Sequence, residues 1–94
     1  MCNVILKDGT TVQAYFVFYQ TPPQLHIYPV NMSIGEIYSV FDNPEATETI
    51  TVEPDTGETK TYQNYTELFS VQRSPYHPEE KEYLVWLQRP YEKP

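Results

Sequence analysis

Apolar side chains at every second position from Val12 to Phe18, just after Asp8-Gly9, point this part of the chain to a β-hairpin. Successive residues of a strand face opposite sides, so Val12, Ala14, Phe16 and Phe18 share one face and form a candidate core face. Thr11, Gln13, Tyr15, Val17 and Tyr19 make an amphipathic second face, to be covered by another element or by a partner. Asp8 and Gly9 tolerate the positive φ of a two-residue type I′ turn, which places the hairpin partner at Cys2 to Lys7.

Thr21-Pro22-Pro23 ends the return strand, because proline has no donor for a ladder. Gln24 to Val30 is the next strand, and Pro29 places its far end at a sheet edge or outside the ladder. Ser33-Ile34-Gly35-Glu36 fits a capping box and opens a helix over 33–42, with Ile34, Ile37, Tyr38 and Phe41 on one side. Asn43-Pro44 stops it. So short a helix is marginal in water, so its apolar side is expected to pack on the sheet. Glu48 to Glu53 is a fourth strand, and Pro54 to Gly57 is a turn. Thr59 to Gln72 reads as one long strand interrupted near Asn64, and Lys81 to Arg89 as the last of about six. The expected fold is α+β: one mostly antiparallel sheet with a single short helix, a partly closed barrel being the rival arrangement. Residues 1–94 form one domain, with 74–80 a loop and 90–94 a flexible tail.

The charge distribution narrows the partners. Between Asp8 and Thr59 lie eight acidic side chains and no Lys or Arg, and the whole chain carries −7. Phosphate binding relies on Lys and Arg, so direct contact with nucleic acid is disfavoured, as is an anionic membrane surface. No apolar run reaches the length of a membrane span, and the first residues lack the pattern of a secretion signal. The lone Cys2 excludes an intramolecular disulfide, so a cytoplasmic setting is expected.

Nothing in the chain assembles a catalytic set. His26 and His77 each lack a second ligand at metal spacing. Cys2 reads as a small buried hydrophobe rather than a nucleophile, and no phosphate-cradling glycine loop occurs. The paired carboxylates, Asp42 with Glu45 and Glu53 with Asp55 and Glu58, fall in caps and turns where water holds them ionised. Glu53 to Glu58 lacks the alternating acids of a calcium loop. No enzyme activity, metal or cofactor is expected. Nine Tyr and four Phe favour contact surfaces instead, since Tyr offers a large ring with a polar tip. Tyr76 and Tyr91, each beside proline outside a strand, are candidate partner-binding residues, together with Asp42, Glu45, Glu48, Glu53, Asp55 and Glu58.

The order of motifs resembles a family of small proteins encoded in tail-gene neighbourhoods of phages and prophages of Gram-positive gut bacteria. The resemblance lies in Leu6-Lys7-Asp8-Gly9-Thr10, the helix segment Ile37-Tyr38-Ser39-Val40-Phe41, and Ile50-Thr51-Val52. It continues in Gly57-Glu58, Tyr65-Thr66 and the ending Leu87-Gln88-Arg89-Pro90-Tyr91-Glu92. Phe18 to Tyr28 departs from the pattern. The resemblance implies a phage or prophage origin and a non-enzymatic role, and it carries over no binding residues. The expectation is a structural or accessory protein that docks on another protein, or on itself, through edge strands, in the host bacterial cytoplasm or assembled into a virion. The alternative is an acidic nucleic-acid mimic that inhibits a host defence nuclease, of anti-CRISPR or anti-restriction type, by occupying a basic surface.

Overall fold

The computed structural model describes residues 1–74 and 83–89. In chain order they form β1 (Cys2–Leu6), β2 (Thr11–Tyr19), β3 (Gln24–Pro29), α1 (Ile34–Phe41), α2 (Pro44–Thr47), β4 (Thr49–Pro54), β5 (Lys60–Gln63), β6 (Leu68–Arg73) and β7 (Tyr83–Gln88). The strands make one sheet in the order β5-β4-β1-β2-β3-β7-β6, with every neighbouring pair antiparallel. The α+β, mostly antiparallel reading is therefore borne out.

The two outermost strands are consecutive in the chain, and this shapes the whole sheet. Seven flat strands would span about 29 Å from edge to edge. The link 64–67 joins the end of β5 to the start of β6, and a chain that short reaches at most about 18 Å. The sheet must therefore curl, although it does not close into a barrel. The curl encloses one buried cluster: Val4, Leu6, Val12, Ala14, Leu25, Ile27, Ile50, Val52, Val85 and Leu87 from the strands, with Ile37, Phe41 and Ala46 from the helices and Tyr65 from the link.

The capping box at Ser33 forms as expected. Ser33 Oγ accepts from the Glu36 backbone N–H at 3.2 Å, and the Glu36 carboxylate accepts from the Ser33 backbone N–H at 3.2 Å. A cap of this kind is worth about 1 kcal/mol. Burying side chains the size of Ile37 and Phe41 stabilises by about 1.5–3 kcal/mol each, so packing is the larger effect. Only that row is buried. Ile34 and Tyr38, one step around the helix, stay more than 40% exposed, and Tyr38 instead meets the Phe69 ring edge-on at 5.6 Å.

Three details differ from the sequence reading, and a further one refines it. The first turn is not a two-residue type I′ turn. Gly9 alone takes positive φ, at 92°, and the Gly9 N–H donates to the Leu6 carbonyl across a four-residue connection. Asp8 holds this turn by accepting from the Thr10 N–H at 2.9 Å, a bond that lowers its pKa. A second helix of one turn, α2, follows α1 directly, with Pro44 in its first turn where the missing N–H has no helical partner to lose. The stretch from Thr59 to Gln72 is divided into β5 and β6 at the interruption expected near Asn64, whose N–H makes one last in-register bond to the Glu48 carbonyl and whose φ of 68° then turns the chain out of the strand. Finally, Pro29 lies inside β3, opposite Ala14. The Val30 N–H donates to Gln13, so the Pro29 nitrogen faces the β7 side, where pairing has ended at Ile27. The loop expected over 75–80, the start of the last strand at Lys81, and the tail 90–94 lie outside the described residues.

Candidate interaction surface

From Gly9 to Gly35 the chain contains no Asp, Glu, Lys or Arg, and this run supplies all of β2 and β3. The signal was present in the sequence but is masked by reading the acidic stretch as a whole. It matters because β2 is longer than its neighbour. β1 covers β2 only from Thr11 to Ala14, while β3 follows it to Tyr19. The end of β2 therefore overhangs.

Backbone direction shows what the overhang leaves open. The Leu6 N–H donates to Thr10 O and the Val30 N–H to Gln13 O. In a strand these directions alternate, so Ala14, Phe16 and Phe18 turn their N–H and C=O toward β1. β1 starts with Cys2 opposite Ala14. No described strand faces the backbone groups of Phe16 and Phe18. The sequence reading placed both rings in the core with Val12 and Ala14. Instead Phe16 is half-buried and Phe18 is 42% exposed, because no neighbouring strand covers them there.

Aromatic rings collect on both sides of this strand end. On the inner side Tyr62 of β5 lies 5.4 Å from Phe16 and 5.1 Å from Phe18. Burial raises the Tyr62 pKa, with a smaller contribution from nearby Tyr65. An adjoining cavity of about 250 Å³ is lined by Cys2, Phe16, Val52, Pro54, Glu58, Lys60 and Tyr62. On the outer side the cross-strand row runs Val17, His26, Trp86, Ser70, and the next runs Tyr19, Gln24, Gln88, Leu68. The His26 ring sits between Tyr19 at 4.5 Å and Trp86 at 4.8 Å. Loss of water around it lowers the His26 pKa. Its Nε2 is 3.1 Å from Gln24 Oε1, and Gln24 in turn donates to Gln88. Trp86 Nε1 is buried and finds no acceptor among the described residues. Val17, Tyr19 and Leu68 remain 40–44% exposed.

The acidic candidates do not gather. Asp42 caps the end of α1; Glu45 in the first turn of α2 and Glu48 at its C-terminal cap lie beside Lys7 and Asp8, around an open depression of about 550 Å³. Glu53, Asp55 and Glu58 lie at the other end of β4, about 16 Å away along the strand. Each set is partly neutralised, Glu48 by Lys7 at 3.2 Å and Asp55 by the Met1 amino group at 3.1 Å. All six are exposed, and exposed ion pairs of this kind contribute little. Tyr76, Tyr91 and His77 lie outside the described residues. Among the described residues no three His, Cys, Asp or Glu side chains are grouped to hold a metal ion. No described helix is long and apolar enough to cross a membrane.

No protein-family model matches this chain, and neither a curated protein nor a solved structure matches it.

Proposed function

We propose that the protein is a non-enzymatic docking protein, a structural or accessory component of phage or prophage type, which binds another protein through the overhanging end of β2. One observation carries this reading. Val17, Phe18 and Tyr19 are consecutive and 40–44% exposed, on a strand whose backbone edge meets no described neighbour. A polar surface has little reason to hold three such side chains in a row, whereas an interface does. An open edge of this kind accepts an added strand through main-chain bonds, with side-chain contacts supplying specificity. The tail-gene resemblance supports the phage setting, with action in the host cytoplasm or on the assembling particle. The division of the carboxylates between the two ends of β4 leaves the nucleic-acid-mimic alternative without a favouring observation.

Site-directed photo-cross-linking tests the proposal. A benzophenone amino acid replaces Val17 or Tyr19, and in a control Glu53, in cells producing the phage or induced prophage. Cross-links from positions 17 and 19 to one defined protein, with none from position 53, are the expected result. Equal labelling from all three positions, or none, would sink the docking reading.

A further inference from the structure

Resting on that docking reading, we infer that the occupant of the open edge is a second copy of this chain: the end of β2 pairs antiparallel with its own counterpart about a twofold axis at Phe18. Backbone parity and the room beyond Cys2 narrow the register, and an axis at Phe18 is the one that sets the exposed apolar groups against one another. In an antiparallel pair, residues whose backbones point toward the shared edge must face one another, so Phe16 and Phe18, with Gln20 just past the end of the strand, face the same set. An axis at Val17 would bring Gln20 of the second copy against Ala14, where Cys2 already lies. An axis at Phe18 sets Phe16 opposite Gln20 of the second copy and keeps the Cys2–Ala14 pairing intact.

The side chains agree with this register. Phe18 meets Phe18 of the second copy on the inner side, and Val17 meets Tyr19 of the second copy on the outer side. Each exposed apolar group at the strand end thus covers another. Paired isologous contacts of this kind are what a twofold dimer requires.

Charge makes this edge the place where a second copy can approach. Each chain carries −7, so most ways of bringing two copies together would oppose carboxylates. The segment from Gly9 to Gly35 is the long exception, and it contains the open edge. The charged side chains that line the adjoining inner cavity, Glu58 and Lys60, have opposite signs, and the Met1 amino group beyond Cys2 is paired with Asp55. A strongly charged partner would leave its own charges desolvated and unpaired against this row. The other edges are guarded in the usual way: β5 carries Lys60 and β6 carries Arg73, whereas β2 has no charge, proline or bulge.

Sedimentation velocity over a micromolar to millimolar series tests the inference. The wild-type chain is expected to dimerise, and the dimer to persist or tighten at roughly 0.5 M salt, because screening only relieves repulsion between carboxylates. Phe18→Lys and Phe18→Glu each place like charges face to face at the axis and should each raise the dissociation constant about tenfold or more. An equimolar mixture of the two should restore dimers. Tyr19→Lys, at an exposed outer position, provides a weakening variant that leaves the inner rings untouched. Circular dichroism and a cooperative melt establish that each variant is folded. A wild-type chain that stays monomeric, a dimer insensitive to all three substitutions, or a mixture that stays monomeric would overturn the self-pairing. If the chain is monomeric yet positions 17 and 19 cross-link to a different protein, self-pairing fails while the docking reading stands. If neither contact forms, both fall.

Discussion

His26 lies between two aromatic rings, within a run that has no Asp, Glu, Lys or Arg, and that setting gives it a definite pH response. Desolvation lowers its folded-state pKa below the ordinary value near 6.5. The folded protein then binds a proton less readily than the unfolded chain does. The resulting stability is fully present above about pH 6.5 and is lost as pH falls toward the depressed folded-state value. The urea midpoint of the wild-type protein should therefore drop between pH 7.5 and 5.5 by more than that of His26→Gln. Equal drops would show that the ring is effectively solvated. Asp8 acts in a separate, more acidic window, because its lowered carboxylate pKa affects stability only as pH falls below the ordinary Asp range.

At the scale of elements, the short helix α1 depends on its ends and on one row of side chains. Ser33→Ala deletes the hydroxyl that accepts from Glu36 N–H, and the loss should be about 1 kcal/mol. For a domain of this size that corresponds to a fall of about 4–8 °C in Tm, measurable by thermal unfolding. An unchanged Tm would mean that Ile37 and Phe41 hold the first turn without the cap. The strand β2 behaves in the opposite way. Its pattern is regular throughout, yet only the half beside β1 is buried. The interruption legible near Asn64 separates β5 from β6, where Asn64 takes a left-handed conformation and bonds to the carbonyl of Glu48 at the entry to β4.

Over the whole molecule, the two chain neighbours β5 and β6 sit at opposite edges of the sheet and oblige it to curl. The acidic excess is distributed around this curl rather than concentrated, and the two described ion pairs, Lys7–Glu48 and Met1–Asp55, are both exposed. Mutual repulsion among carboxylates should therefore oppose folding more than specific pairs support it. The urea midpoint is expected to rise between low salt and roughly 0.5 M sodium chloride, where the screening length is only a few ångströms. A fall in the midpoint would show that attractive pairs outweigh the repulsion.

Local chemistry was sufficient to place the strands, the capping box at Ser33 and the stop at Asn43-Pro44, because each depends on residues a few positions apart. Alternation likewise assigned Val12, Ala14, Ile50 and Val52 to the buried face. The α2 turn was legible only weakly, through Pro44 in its first turn. Whether a residue on the correct face is actually covered depends on how far the neighbouring strand extends, and no local pattern records that. Phe16 and Phe18 share the face of Ala14, but Cys2 is the last residue of β1 to reach β2. The tertiary pairing alone therefore turned two expected core rings into the open end of a strand.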